Sequence, residues 1–170
     1  MNTPAYTRLF EPLTLEGLQL KNRITMAPLY LGYAAQGGKV STLLLSHYRL
    51  MAQSGAALIV VENASIAPGG SAGERTLRAD HSRYLQKLGW LAGAIQEEQA
   101  LAALQINHAG RFAGVRDPVA PSAVEAFGRT PRSLQKSEIR TIQKQYAAAA
   151  LRTKEAGFDV VELHGGTGYL

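Results

Sequence analysis

"AALIVVE" (residues 56–62) is a short and almost wholly apolar run. Strict in–out alternation would mark a strand with one wet face. An unbroken apolar run predicts instead a strand covered on both faces, as in a parallel sheet. Three more stretches read the same way: "RITMAP" (23–28), "LAALQIN" (101–107) and "FDVVELH" (158–164). Between them the period changes to that of a helix. "STLLLSHYRLMAQSG" (41–55) offers Ser41 as an N-cap and Gly55 as a stop. Residues 81–99 place Tyr84, Leu88, Leu91 and Ile95 on one face. A third helix, starting near Ser137, repeats that spacing with Ile139, Ile142, Tyr146 and Ala149 and ends at Gly157. Strand–helix alternation of this kind implies right-handed βαβ units around a parallel sheet, so the fold class is α/β.

The connections are unequal. Those from helix back to strand are short, for instance Ser54-Gly55 and Ala156-Gly157, whereas those after the strands, 63–80 and 108–136, are long and rich in Gly, Pro and Arg. Long loops gathered at the carboxyl ends of strands form the functional face of α/β proteins, in barrels and open sheets alike. No Gly-x-Gly-x-x-Gly follows the first strand and no Walker-type Gly-Lys-Ser/Thr appears, which removes the main support for dinucleotide and P-loop readings. Ahead of the first strand, "LFEPLTLEGLQLKNR" (9–23) predicts a short hairpin turning at Gly17.

At 170 residues, 46% hydrophobic and 18% charged, the chain is expected to be one globular domain over residues 1–170. A net charge of +5, with Arg129, Arg132, Lys136, Arg140 and Lys144 close together, reads as a solvated helix face and loop. No aromatic interleaving accompanies these basic groups, so no nucleic-acid partner is expected. The absence of cysteine excludes disulfides, a thiolate nucleophile and cysteine-ligated zinc or iron–sulfur centres. That composition suits a reducing cytoplasm. "MNTPAYTRLFEP" (1–12) lacks a charged start followed by an apolar run, so no signal peptide is expected. No stretch approaches the ~18–20 apolar residues of a membrane span.

Four of these motifs together carry a resemblance. "LFEPLTLEGLQLKNRITMAP", "LIVVENASIAPGG", "LQINHAGR" and "AGFDVVELHGGTGYL" resemble the Old Yellow Enzyme family of FMN-dependent oxidoreductases, in the right order over essentially the whole chain. The resemblance implies a (β/α)₈ TIM barrel with a hairpin capping its floor. A complete barrel takes about 250 residues. The chain is therefore expected to supply the N-terminal half: the hairpin, roughly the first four strands, and the three helices joining them. The family holds the flavin phosphate mainly with the seventh and eighth strand loops, and sets a basic residue from a later strand beside the ring. Neither falls within these four strand positions.

The resemblance also implies a site. "MAPLY" matches a first-strand motif whose backbone lines the flavin, making Ala27, Pro28, Leu29 and Tyr30 candidate cofactor residues; read without it, the segment is a strand end before a proline turn. Asn63 falls near the ring. Gln105 is an amide in an otherwise apolar strand and needs partners, since an unsatisfied buried amide costs ~1–3 kcal/mol. The family pairs this glutamine with the flavin's pyrimidine edge; bonding to neighbouring backbone is the plainer role. His108 and Arg111 of "HAGR" read chiefly as residues that order the third loop. His164, Thr167 and Tyr169 match the family's histidine, second donor and tyrosine. Two donors aimed at one carbonyl oxygen stabilise the charge that develops there as hydride reaches the β-carbon. Tyr169 is placed to protonate the α-carbon or to lie against substrate. No metal site is expected.

Three positions depart from the family pattern. Thr167 stands where histidine or asparagine is usual, Tyr30 where a small cysteine or threonine tunes the flavin, and Asn63 where alanine or glycine is common. The expected activity is FMN-dependent transfer of hydride from NADH or NADPH to an activated alkene of a small molecule. The alternative is a non-catalytic half-barrel that binds flavin weakly or not at all. In both cases two open sheet edges predict association, as a homo-oligomer or with a complementary half-barrel.

Overall fold

The hairpin forms where the sequence places it. β1 (Leu13–Leu15) pairs antiparallel with β2 (Leu18–Leu20), Leu15 lying opposite Leu18. Glu16 at φ 49° and Gly17 at φ 89° make the turn. Two successive left-handed residues match the right-handed twist of the flanking strands, and glycine adopts that conformation without a Cβ penalty. The computed structural model describes residues 6–170. The first residues of the stretch read for a signal peptide lie outside these. Among the described residues no helix is long and apolar enough to cross a membrane.

Beyond the hairpin come β3 (Thr25–Met26), α1 (Thr42–Ala52), β4 (Leu58–Ser65), the short β5 (Leu77–Arg78) and α2 (Leu85–Gln96). They are followed by β6 (Leu101–Asn107), the small β7 (Val119–Ala120) and β8 (Arg132–Ser133), α3 (Lys136–Glu155) and β9 (Val160–Leu163). The order across the main sheet is β3-β4-β6-β9, every pair parallel and each strand beside its successor in the chain. That is the arrangement of four consecutive staves of a (β/α) barrel.

One side of the sheet packs on the helices. Ile59, Val61 and Ala64 of β4 and Ala102, Leu104 and Ile106 of β6 meet Leu44, Tyr48 and Ala52 of α1 and Leu88, Leu91 and Ile95 of α2 in one buried cluster. Ala149 of α3 joins it, with Ile142 and Tyr146 packed partly against it. The alternate residues turn to the other face, in layers set by the register: Val60, Ala103 and Val160, then Gln105 and Glu162. The alternation breaks once. Val61 lies opposite Leu104 and Ala64 opposite Ile106, so Glu62 and Asn63 both oppose Gln105. This bulge sets two polar residues of β4 opposite one of β6 near the strands' carboxyl ends, where bulges commonly re-aim side chains.

Several boundaries differ from the sequence expectation. "RITMAP" contributes only Thr25–Met26 to the ladder, because among the described residues β3 has a partner on one side alone. β4 runs past Glu62 to Ser65, since the bulge lets pairing resume with Ile106 and Asn107. α2 begins at Leu85 rather than 81, behind a tight turn (Ser82–Tyr84) in which the Arg83 N–H donates to His81 Nδ1 at 3.1 Å. α3 is capped by Gln135, which exchanges side-chain and backbone bonds with Glu138, and Ile139 is 42% exposed despite its place in the apolar spacing. Ser41 caps α1 as read, accepting the Leu44 N–H at 3.0 Å.

Candidate functional site

The four strands point their carboxyl ends the same way, and the sequence-predicted residues lie there. After β9 the ladder continues for one bond, His164 N–H to the Ile106 carbonyl at 3.1 Å, and the chain then turns through its glycines. His164 Nε2 is 3.2 Å from Thr167 Oγ1, whose hydroxyl donates to the Gly166 carbonyl at 2.9 Å. The hydroxyl proton being committed to the backbone, His164 Nε2 is the donor of that pair and Nδ1 the unprotonated nitrogen when the ring is neutral. Thr167 sits at φ 56°, a left-handed conformation that β-branched residues rarely adopt. The Tyr169 ring meets His164 edge-on, centroids 4.8 Å apart. Burial raises the Tyr169 phenol above its ordinary pKa, and the Tyr30 phenol across the rim adds to the shift. The first and fourth staves thus bring their tyrosines together.

The central staves supply the amides. Asn63 is 8% and Gln105 7% exposed. Gln105 Nε2 donates to Glu162 Oε1 at 2.6 Å, a side-chain partner on the next stave rather than the neighbouring backbone. Glu162 was not singled out from sequence. Its signal was available: in "VVEL" it is an acidic residue flanked on both sides by apolar strand positions. Ala27, Pro28, Leu29 and Tyr30 leave the end of β3 as a rim segment, with Leu29 and Tyr30 61% and 53% exposed.

His108 and Arg111 act on loops, as the sequence suggests. The buried His108 ring accepts the Gly110 N–H at Nδ1 (3.1 Å), its backbone N–H donates to the Tyr146 hydroxyl (3.0 Å), and burial lowers its pKa. Gly70 of the second loop lies against that ring so closely that a Cβ there would come within 2.5 Å of it. The Arg111 guanidinium stacks on Phe112 at 4.9 Å and packs over Gly168. Beside them, Arg111, Pro121, Ser122, Val124 and Tyr169 line a cavity of about 230 Å³ next to the His164 turn.

These features can be set beside known proteins. The model of the NADH:flavin oxidoreductase / NADH oxidase family matches residues 8–170. The chain belongs to that family. Among its relatives, the NADPH dehydrogenase of Bacillus cytotoxicus is 37% identical over 169 residues, an alignment covering 96% of this chain and 49% of that protein. Morphinone reductase, solved in complex with tetrahydroNAD, superposes with a TM-score of 0.87 at 31% identity, over 95% of this chain and 50% of the reductase. The old yellow enzyme homologue from Zymomonas mobilis gives 0.88 at 29% identity, over 95% of this chain and 49% of its own. The chain thus spans about half the length of the relatives it matches. As a member of the NADH:flavin oxidoreductase family, it contributes the hairpin and four staves of an Old Yellow Enzyme-type TIM barrel. The four stretches of sequence that carry the resemblance fall on the hairpin and β3, the β4 bulge, the end of β6 and the turn after β9.

Proposed function

We propose that this chain forms the N-terminal half of an FMN-dependent ene-reductase domain, which takes hydride from NADH or NADPH and delivers it to an activated alkene. One observation carries the reading: the Gln105 amide and the His164–Thr167–Tyr169 turn converge at one end of adjacent parallel staves. The residues suit a planar flavin. Gln105 uses Nε2 toward Glu162 and keeps a carbonyl oxygen and a second N–H for a heterocycle's mixed donor–acceptor edge. Exposed Leu29 and half-buried Pro28 offer an apolar wall beside it. When bound, the flavin supplies the hydride.

The protein's own groups then have distinct tasks. His164 binds the substrate carbonyl oxygen by exchanging its bond to Thr167 for one to the ligand. Thr167, its hydroxyl proton held by the Gly166 carbonyl, is the weaker contributor. Tyr169, its pKa raised, stays protonated at neutral pH and is available to donate to the α-carbon. Ala27, Tyr30 and Asn63 flank the ring position. A cysteine-free composition accords with a cytoplasmic site of action.

A non-catalytic half-barrel is the second reading, and the sheet edges favour it. Among the described residues β3 and β9 each pair on one side only, and Leu163 is 65% exposed. These edges suit a second copy or a complementary half-barrel. The absorbance spectrum of the purified protein separates the readings. Flavin bands bleached anaerobically by NADH or NADPH are the expected result; a colourless preparation that takes up no added FMN would leave the half-barrel reading standing. Sedimentation then reports whether the chain associates.

A further inference from the structure

Glu62 is fully buried, at 0% exposure, in a strand whose preceding residues are all apolar. A carboxyl group in such surroundings is costly unless it is bonded or neutral. Two contacts define its place. The Leu31 N–H donates to Glu62 Oε2 at 3.1 Å, and the Glu62 N–H donates to the Tyr48 phenol oxygen at 2.7 Å. Oε1 is enclosed without a partner among the described residues. Tyr48 is itself fully buried on α1, and its phenol is the titratable group that meets this site.

The sequence neighbours of these contacts give the arrangement its meaning. Leu31 directly follows Tyr30, the last residue of the rim segment from β3. Glu62 directly precedes Asn63, and the bulge sets both residues opposite Gln105 in the register. The carboxyl group therefore spans the gap between the first and second staves at the level where each yields its candidate cofactor residues. Nothing else among the described hydrogen bonds joins the Leu31 amide to β4.

We propose that Glu62 is a positioning residue, which fixes the distance between the Ala27–Tyr30 segment and Asn63 and so sets how firmly the flavin ring is held. This rests on the flavin reading above, and it assigns a task to a residue that would touch neither flavin nor substrate. Its carboxyl group acts through the Leu31 amide.

The test has two arms. In the first, the Leu31 amide is followed by nuclear magnetic resonance from pH 5 to 9, with no flavin added. The wild-type amide should shift with a midpoint near 7, where burial pushes the Glu62 carboxyl up, and Glu62→Gln should abolish the titration. An amide that does not respond overturns the tether. In the second arm, FMN affinity is read by fluorescence quenching. Glu62→Gln keeps an oxygen to accept the Leu31 N–H and should bind nearly as wild type. Glu62→Ala should bind about tenfold more weakly, as expected for one lost hydrogen bond. Tyr48→Phe removes a buried hydroxyl without touching Leu31 and controls for general loosening of the fold. Equal losses in Glu62→Ala and Tyr48→Phe would overturn the proposal. A wild-type chain that titrates at Leu31 and takes up no FMN would overturn the flavin reading and the proposed grip with it. FMN uptake with a silent Leu31 would sink the tether alone.

Discussion

The two central staves and the two outer ones are built from similar sequence and behave differently. β4 and β6 are buried at nearly every position, whereas β3 and β9 are short and half exposed. All four are apolar runs of comparable length in the sequence. A neighbour on each side extends the ladder and closes both faces; one neighbour leaves a fringe. The candidate site divides along the same line. Asn63 and Gln105 sit on the central pair, in closed surroundings, and Tyr30 and the His164 turn hang from the outer pair. The candidate residues thus divide between closed surroundings on the central staves and open ones on the outer staves, so mutations should separate the two regions.

Truncating the core should show the largest contrast. Leu104→Ala on β6 empties a fully buried site and is expected to cost about 2–5 kcal/mol in chemical denaturation. Val161→Ala on the half-exposed β9 should cost on the order of 1 kcal/mol. Equal costs would break the distinction between central and outer staves.

Next comes the carboxyl group held inside the central region. The folded chain keeps a proton on Glu62 up to about pH 7, whereas an unfolded carboxyl releases it near its ordinary value of 4.5. Between those values the folded state binds more protons, so stability falls as pH rises through the window and levels off above it. The contribution is on the order of 1–3 kcal/mol. Denaturation midpoints at pH 5 and 8 should differ in wild type and converge in Glu62→Gln.

A smaller effect should sharpen the reading of the outer region. His164→Ala is expected to weaken binding of a phenol to the FMN-loaded protein several-fold, and Thr167→Ala much less, with stability nearly unchanged because both lie on the exposed turn. Negligible effects from both would remove the turn from the site. Smallest of all, Thr167→Asn should raise the thermal midpoint slightly, by about 0.5–1 kcal/mol of stability, because asparagine tolerates positive φ where a β-branched residue does not.

How much of this was legible beforehand follows from the same contrast. The ends of "LAALQIN" were readable, because a strand closed on both faces is a mostly apolar run that stands out from the polar loop after it. "RITMAP" did not, because pairing on one side is a property of neighbours and leaves no mark on composition. The caps and faces of the helices were readable from Ser41 and from Tyr84, Leu88, Leu91 and Ile95, all local patterns. Hidden were the contacts made across the sheet. Gln105 advertised a need for a partner, but Glu162 becomes that partner only through the register between β6 and β9. Glu62 looked like the polar end of a strand until the bulge carried β4 beyond it. The loop 108–136, rich in glycine, proline and arginine, concealed the small β7–β8 pairing for the same reason.

The stitching of the second loop to the third has a dynamic consequence. Ala109 N–H donates to the Gly70 carbonyl and Gly114 N–H to the Ser71 carbonyl, each at 2.8 Å, and the His108 ring fills the space a side chain at residue 70 would need. The two loops are fastened into one body that opens only at the expense of buried bonds. Any breathing that lets a small molecule enter or leave therefore falls to the thin exposed stretches 27–30 and 165–168 on either flank, and amide exchange should be fastest there.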